Sequence, residues 1–201
     1  MREKTICVPT STVLRTRRCL LRCPVFADAS RLLSAFRSPH FPRLLPLGQI
    51  STRAGVESWI NETCTAWENE SAYTWSVERA EDIGVLGQVT LCMSDRKNRW
   101  ALSFWIHPDS WGQGYATEAS ARVMEFAFVE LRATSIWAGA AKWNATSLRV
   151  LEKLGMIPIG DNPKGYVIRG EAVPTREYEI SSNGWHYLRE RGLLVEQNSL
   201  S

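Results

Sequence analysis

Two glycines separated by a single residue, Gly112 and Gly114, stand where a strand-like segment gives way to a helix-like one. Glycine reaches backbone conformations that bring successive N–H groups together, and it has no Cβ to obstruct a ligand. The helix that follows would point its positively polarised N-terminus at the same place. The segment therefore predicts a seat for an anion such as a pyrophosphate.

The spacing of these glycines differs from that of two common phosphate-binding loops. No Gly-Lys-Ser/Thr triplet follows, as a P-loop would require, and the third glycine of the dinucleotide-binding fingerprint is missing. A two-glycine turn also occurs in loops that enter a helix and bind nothing. The loop alone leaves both interpretations open.

A second segment downstream makes the pattern specific. It reads Asn144-Ala-Thr-Ser147, and it continues as Leu-Arg-Val-Leu-Glu-Lys-Leu-Gly155. Together with Trp111-Gly-Gln-Gly-Tyr-Ala-Thr-Glu-Ala119, and in the same order, it resembles the GCN5-related N-acetyltransferase (GNAT) superfamily. Within that superfamily the chain resembles the RimJ/RimL-type branch, which acetylates the N-terminal amines of proteins. The similarity spans residues 13 to 187.

Helix-like and strand-like segments alternate along the chain, which indicates an α/β fold. The resemblance implies its GNAT form, a mixed, curved central sheet that splays into a V with helices on both faces. The pattern predicts helices over 29–37, with Asp28 as N-cap, and over 55–67, 115–131 and 145–154, the last ended by Gly155. It predicts strands over 13–22, 72–77, 85–93, 100–106, 136–140, 166–168 and 176–180.

Length and composition are those of one globular domain. The chain has 201 residues, of which 44% are apolar, and charges interrupt every apolar run before it could cross a bilayer. We expect residues 1–12 to form a loose N-terminal tail, 13–187 the catalytic domain and 188–201 a C-terminal tail. No apolar stretch of a secretory signal follows the basic residues near the start, so the cytoplasm is the expected compartment and no membrane contact is expected.

The five cysteines, at positions 7, 19, 23, 64 and 92, form no Cys-x-x-Cys pair. No histidine accompanies them at the spacing of metal ligands, so we expect no bound metal. An odd number of cysteines is typical of a reducing compartment, where buried thiols act as small apolar side chains.

Charge is unevenly distributed, although the net value is only +3. Residues 51–95 hold eight acidic side chains against two basic ones: the acids are Glu57, Glu62, Glu68, Glu70, Glu78, Glu81, Asp82 and Asp95. Such a stretch could form a rim that attracts cationic amines or basic peptide termini, or it could be a solvated helix face. The basic residues near the start lack interleaved aromatic residues, so no direct contact with nucleic acid is expected.

Acetyl-CoA is the cosubstrate that the resemblance implies. Its thioester is expected beside Trp105, Ile106 and His107, at a bulge in the 100–106 strand whose unpaired backbone groups bind the pantetheine arm. The rival interpretation is a plain strand end, terminated by Pro108. The residues expected to contact the coenzyme are Trp105, Ile106, His107, Trp111, Gly112, Gln113, Gly114, Tyr115, Ala116, Thr117 and Asn144.

The reaction implied is direct attack of a neutral primary amine on the thioester, without a covalent enzyme intermediate. Ser147 is the catalytic candidate, as a hydrogen-bond donor to the departing sulfur. Its other possible role is to decorate the first turn of its helix, and Asn144 could act as N-cap, as a ligand of the pantetheine amide, or as both. The general base is not identified, and His107, Glu68, Glu70 and an ordered water chain are the candidates.

One departure from the branch bears on function. Members of the branch commonly have Glu-x-Gly-Tyr-Trp before the loop, whereas this chain has Ala101-Leu-Ser103-Phe-Trp105. Three functions remain open. The first is acetylation of a protein N-terminal amine, and the second is acetylation of a small amine such as a polyamine, an amino acid or an aminoglycoside. The third is a CoA-binding module with impaired catalysis; a homodimer is possible for all three.

Nine tryptophans are an excess for a chain of this length. Most are expected in the core, because large aromatic side chains are usually buried there. Some could instead line an acceptor groove, which would favour a small molecule over a peptide.

Overall fold

The computed structural model describes residues 8–80, 84–94 and 98–194. Its strands are β1 (Leu14–Arg15), β2 (Cys19–Arg22), β3 (Ala72–Arg79), β4 (Val85–Met93), β5 (Arg99–Ile106), β6 (Ser135–Ala141), β7 (Ile157–Ile168) and β8 (Glu171–Ser181). Its helices are α1 (Ala29–Arg37), α2 (Arg53–Glu68), α3 (Tyr115–Val129), α4 (Ala145–Lys153) and α5 (Ser182–Glu190). The strands form one mixed sheet in the order β1-β2-β3-β4-β5-β6-β8-β7, which confirms the predicted α/β fold.

The sheet opens between β5 and β6. β5 pairs antiparallel with β4 along a ladder that runs without a register shift from Trp100 to Ile106. Its parallel pairing with β6 covers only Arg99–Ala101. The prediction of a bulge in this strand is therefore wrong, because a bulge would shift the register of the β4–β5 ladder. The backbone edge of β5 beyond Ala101 leaves the β6 ladder because the two strands diverge, which produces the predicted V.

Two large hydrophobic clusters occupy the two sides of the sheet, and a third, of Ala141, Ile168 and Val173, lies in the β6–β8 region. The larger cluster contains the buried side chains of α3 and a contiguous aromatic group that includes Trp67, Tyr73, Trp75 and Phe126, whose ring centroids lie 5.0–5.5 Å apart in the closest pairs. The smaller of the two large clusters joins α1 to α2. Four of the nine tryptophans, Trp67, Trp75, Trp100 and Trp185, are buried, which is fewer than the majority that was expected.

The N-terminal segment differs from its prediction in a way that matters for the site. Residues 13–22 form a hairpin of two short strands, β1 and β2, instead of one strand. Thr16 causes the reversal, because its hydroxyl accepts hydrogen bonds from the backbone N–H groups of Arg18 (3.3 Å) and Cys19 (2.8 Å).

Asp28 occupies the N-cap position of α1, but its carboxylate makes no capping bond to the helix. The carboxylate is turned into the protein, where it accepts hydrogen bonds from Arg22 and Ser76. The prediction that the Asp28 side chain caps α1 is therefore wrong, because the guanidinium of Arg22 binds the carboxylate instead. By contrast, Gly155 ends α4 with φ +76°, as predicted.

The C-terminal third contains more structure than its pattern predicts. The two short strands predicted there belong to a long hairpin of β7 and β8, followed by α5, which was not predicted. At the hairpin's tip Arg169 Nε donates to Gln49 Oε1 (3.0 Å), which ties the hairpin to the α1–α2 connection. β7 was underestimated because its side chains are largely exposed and show little apolar alternation.

Packing extends beyond the predicted domain limits of 13 and 187. Val8 is buried and its carbonyl accepts a hydrogen bond from the Trp67 indole (2.8 Å), while Leu188 packs on the core. Residues 1–7, including Cys7, and residues 195–201 of the predicted tails lie outside the described part of the chain. No described helix has the length and apolarity needed to span a bilayer.

Candidate functional site

The two-glycine loop has the geometry that its sequence predicts. Gly112 and Gly114 have φ of +75° and +83°, in the left-handed region that favours glycine, and space is open around the Cβ position of Gly112. α3 starts at Tyr115, and Gly114 at its N-cap supplies no side chain to bond the helix. The N–H groups of the first turn have no partner within the helix, so the loop presents donors to an anion.

A salt bridge that the motif analysis did not single out holds this loop in place. The Arg18 guanidinium bonds Glu118 through Nε (2.6 Å) and donates from Nη1 to the Gln113 carbonyl (3.0 Å). Glu118 also accepts from the Thr16 hydroxyl (2.7 Å) and from the backbone N–H of Arg18 (2.9 Å). Arg18 thereby ties the β1–β2 turn to the first turn of α3 and places a positive charge 3.5 Å from the Cβ position of Gly114.

The pKa of Glu118 follows from these contacts. Burial opposes ionisation, but the hydrogen bonds from Thr16 and Arg18 outweigh it and lower the pKa. Tyr115 completes the arrangement, because its buried ring lies beneath the guanidinium of Arg18, 4.5 Å from ring centroid to Cζ.

A cavity of about 380 Å³, here called the α4 cavity, lies where β5 diverges from β6. Its lining residues are His40, Phe41, Pro42, Leu45, Phe104, Trp105, Ile106, Trp111, Ala116, Trp143, Asn144, Ala145, Thr146, Ser147 and Val150. Asn144 is the N-cap of α4, and its Oδ1 accepts from the backbone N–H of Ser147 (3.1 Å). The capping role predicted for Asn144 is confirmed.

A second cavity of about 430 Å³, here called the α2 cavity, lies between α2 and the sheet. Its lining residues are Phe41, Leu45, Pro46, Leu47, Trp59, Glu62, Thr63, Ala66, Ala72, Thr74, Gln88, Thr90, Ser103, Phe104 and Trp105. Four of them, Phe41, Leu45, Phe104 and Trp105, also line the α4 cavity, so the two cavities adjoin. Glu62 is the one formally charged side chain among the described residues that line either cavity.

The expected coenzyme contacts divide into three groups. Trp105, Ile106, Trp111, Ala116 and Asn144 line the α4 cavity together with Ser147. Gly112, Gln113, Gly114, Tyr115 and Thr117 form the loop and the first turn of α3 beside it. His107 belongs to neither group. The Trp111 indole is 46% exposed and donates to the Ile106 carbonyl (2.6 Å), which fixes it at the cavity edge.

His107 is a structural residue in this fold. Its backbone N–H donates to the Leu86 carbonyl (2.6 Å), and its imidazole is 4% exposed. Nδ1 accepts from the backbone N–H of Asp109 (3.2 Å), so the proton lies on Nε2 and faces the Ser34 hydroxyl (3.1 Å). Both ring nitrogens are thus engaged within the protein, and His107 lines neither cavity.

The described acids of the stretch 51–95 do not form a continuous rim around the cavities. Glu57 pairs with Arg53, and Glu78 pairs with Arg22. Glu68 and Glu70, which were candidates for the base, line neither cavity, and Glu81, Asp82 and Asp95 lie outside the described residues. Glu62 is therefore the one described acid of this stretch that lines a cavity, and its position in the sequence does not distinguish it from its neighbours.

The structure also locates the residues that replace the branch's usual Glu and Gly. Ala101 lies in the short segment where β5 still pairs with β6, whereas Ser103 lies on the floor of the α2 cavity. A carboxylate at position 101 would stand in the paired part of the sheet. Within residues 8–80, 84–94 and 98–194, no cluster of three His, Cys, Asp or Glu side chains is suited to hold a metal ion.

Comparisons with known proteins agree with this geometry. The sequence matches the family profile described as an acetyltransferase (GNAT) domain over residues 18–157. It is 25% identical over 169 residues to the uncharacterized N-acetyltransferase YoaA of Bacillus subtilis, covering 84% of this chain and 96% of that protein. It is 28% identical over 105 residues to YdaF of the same organism, a putative ribosomal N-acetyltransferase, covering 52% and 57%.

Solved structures share the fold at low sequence identity. A putative ribosomal-protein-serine acetyltransferase from Vibrio cholerae aligns with a TM-score of 0.78 at 20% identity, covering 87% of this chain and 99% of that one. RimJ of Mycobacterium smegmatis, in complex with CoA-disulfide, aligns with a TM-score of 0.76 at 16% identity, covering 90% and 95%. The microcin C7 self-immunity acetyltransferase MccE, bound to acetyl-CoA and AMP, aligns at 0.75 and 13%, covering 88% and 98%.

The buried imidazole predicts a pH effect on stability. Burial first, and the nearby Arg31 second, lower the pKa of His107 below its ordinary value near 6.5, against the opposing effect of Asp109. Between the folded and unfolded pKa values the unfolded chain binds a proton that the folded chain does not, so stability falls as pH falls. We expect His107→Gln to lose less unfolding free energy than the parent between pH 7 and pH 5 in urea titrations. A pH-independent difference between the two proteins would contradict the neutral, buried state.

Proposed function

Because the chain belongs to the acetyltransferase (GNAT) family, we propose that it acetylates a primary amine held in the α2 cavity with a thioester held in the α4 cavity. The family shows that the protein is an acyl-CoA-dependent N-acetyltransferase. The single observation that carries the proposed placement is that the two cavities adjoin at Phe104 and Trp105, on the strand that diverges from β6.

The coenzyme's anionic end suits the two-glycine loop. The left-handed glycines and the uncapped first turn of α3 offer N–H donors, and Arg18 adds a positive charge beside them. From there the pantetheine arm would follow the free edge of β5 toward Asn144 and Ser147, because the α4 cavity continues in that direction. The fit of the donors to a diphosphate supports this orientation.

Transfer requires three events at the junction of the cavities. The amine loses its extra proton, and its nitrogen attacks the thioester carbon to form a C–N bond. The C–S bond then breaks, and the released thiolate takes up the second proton, which the nitrogen sheds as the amide forms. Ser147 is the side chain proposed to donate a hydrogen bond to that sulfur. His40 lines the α4 cavity but not the α2 cavity that would hold the amine, so a water chain that leads toward Glu62 is the proposed route for the amine's proton.

The first candidate acceptor is the N-terminal amine of a protein. The support is the resemblance to the RimJ/RimL-type branch, to which the putative ribosomal-protein-serine acetyltransferase and RimJ among the structural neighbours also point. A terminal residue or two would enter the α2 cavity, and the rest of the chain would lie outside.

The second candidate is a small amine with an apolar body. The α2 cavity favours it through the aromatic side chains of Phe41, Trp59, Phe104 and Trp105, which surround a volume suited to a small ligand. Its hydroxyl-bearing floor and the single carboxylate of Glu62 would orient a cationic group.

An acceptor screen tests the proposal. Release of free CoA from acetyl-CoA would be followed with peptides that have different N-terminal residues and with polyamines, amino acids and aromatic amines. We expect turnover with at least one class, and a preference for short peptides would support the first candidate. Tight acetyl-CoA binding with no turnover on any amine would refute the proposed reaction.

Ser147→Ala tests the role of the serine at the sulfur. Loss of a donor used mainly as negative charge builds on sulfur should lower kcat about 10- to 100-fold, with little change in the Kd of acetyl-CoA. Ser182, a first-turn serine of α5 that lines neither cavity, is the matched control, and Ser182→Ala should leave both values unchanged. Equal losses in turnover and coenzyme affinity would reject the role.

Glu62→Gln tests recognition of the amine. The substitution keeps the shape of the side chain and removes its charge, so the KM of a cationic acceptor should rise roughly two- to fivefold at low salt, with the KM of acetyl-CoA unchanged. The rise should shrink as salt is added, because the carboxylate is exposed. Glu68→Gln, on the same helix but outside the cavity, is the control. An unchanged KM for every cationic acceptor would exclude Glu62 from recognition.

A further inference from the structure

A row of three residues crosses the sheet beneath the junction of the two cavities. Ser76 of β3 stands opposite Gln88 of β4, and Gln88 stands opposite Trp105 of β5. Residues directly opposite on neighbouring strands point to the same face, so the three side chains lie on the face toward α2. Gln88 is 1% exposed and Ser76 is fully buried, yet both carry polar groups that burial would penalise without partners.

These polar groups form a chain of hydrogen bonds that ends at Trp105. The Trp105 indole Nε1 donates to Gln88 Oε1 (3.0 Å), Gln88 Nε2 donates to Ser76 Oγ (3.5 Å), and Ser76 Oγ donates to Asp28 Oδ2 (2.9 Å). Asp28 is itself 4% exposed. The chain therefore links a buried carboxylate to the aromatic wall that the two cavities share.

The groups at the two ends of this hydrogen-bond series, the Asp28 carboxylate and the Trp105 indole, give the series one direction. An ionised carboxylate only accepts hydrogen bonds and an indole N–H only donates them. The Ser76 hydroxyl must therefore donate toward Asp28 and accept from the Gln88 amide nitrogen. That leaves the Gln88 oxygen facing Trp105, so a flipped amide would break both of its bonds.

Ion pairs fix Asp28, at the end of the hydrogen-bond series opposite Trp105. Arg22 binds both carboxylate oxygens of Asp28, at 3.0 and 2.7 Å, and also pairs with Glu78. The hydrogen bond to Asp28 is the largest cause that raises the pKa of Arg22, so the guanidinium stays charged. A bidentate arginine is a rigid partner, because both its bonds must be lost for the carboxylate to turn.

We propose that Gln88 is a positioning residue for Trp105 and thereby sets where the acceptor amine stands relative to the thioester. On its other side the Trp105 ring packs against Phe36 and Phe41, with centroids 5.1 and 5.6 Å apart, which restrains the ring but does not select its angle. The amide of Gln88 supplies that selection. This inference rests on the proposed function, because Trp105 matters for transfer only if both cavities are filled.

The first readout is spectroscopic and needs no acceptor. In a ¹H–¹⁵N spectrum of the full chain, the Trp105 Nε1–H resonance is identified as the peak missing from Trp105→Phe. We expect Gln88→Leu to move that peak upfield, because the indole loses its acceptor, and to leave the peak of Trp67, which donates to the Val8 carbonyl, in place. Gln88→Met, which is closer in shape, is the second variant should Gln88→Leu fold poorly. An unmoved Trp105 peak in the folded variant overturns the inference.

The second readout is a double-mutant cycle in the acetyl-transfer assay. Gln88→Leu should lower kcat about tenfold with the KM of acetyl-CoA changed less than twofold, because small displacements at the reacting centre slow transfer. In the Trp105→Phe background, where no N–H remains to be held, Gln88→Leu should have little further effect. Thr90→Val, which removes a hydrogen bond to Thr74 on the floor of the same cavity, should combine additively with Trp105→Phe.

The outcomes separate the inference from the proposed function. Additive effects of Gln88→Leu and Trp105→Phe would show that Gln88 acts on stability or folding alone and would overturn the inference. If the parent protein transfers acetyl to no amine, the proposed function fails, and the inference fails with it as far as transfer is concerned. In that case the indole resonance still decides whether Gln88 orients Trp105.

Discussion

Divergence of two neighbouring strands is the constraint on which the site depends. β5 and β6 share a ladder over three residues and then separate, although each remains fully paired on its other side, with β4 and with β8. Backbone groups that would satisfy one another in a flat sheet are thereby left facing a cavity. The continuous ladder with β4 supplies the rigidity that makes the opening persistent. A site built on a strand edge in this way has a fixed wall and needs no irregularity within the strand itself.

Two ion pairs support the walls of this opening, and none of their four side chains lines a cavity. The Arg18–Glu118 pair fastens the loop at one end, and the Arg22–Asp28 pair anchors the polar chain beneath the junction at the other. Both pairs are partly buried and accept or donate several further hydrogen bonds, which is the condition under which an ion pair orders its surroundings. The cavity surfaces between them are mainly apolar, and a neutral amine is the form of the acceptor that such surroundings favour.

The sequence was most informative where local chemistry determines local structure. The left-handed glycines at 112 and 114, the cap at Asn144 and the amphipathic helices depend on neighbours within a few residues, and the structure has them as predicted. It was least informative where partners lie far apart. Arg18 donates a hydrogen bond to Glu118, 100 positions away. The Asp28 carboxylate accepts hydrogen bonds from Arg22 and Ser76 instead of capping α1 as predicted. The splay was anticipated only through the resemblance, and the bulge expected in β5 does not occur, because pairing partners cannot be read from one segment.

The contact between Arg169 and Gln49 has a consequence for how the chain acquires its site. The short turn that contains Gln49 adjoins residues of both cavity walls, while Arg169 stands at the tip of a hairpin encoded 120 residues later. During synthesis the first 114 residues, which include the two glycines, would emerge before the segment that secures this rim. A nascent chain cut before residue 169 would lack this hydrogen bond from the C-terminal hairpin. The hydrogen bond that secures this rim of the site thus forms only after residue 169 has been synthesised, although the residues that line the two cavities are synthesised earlier.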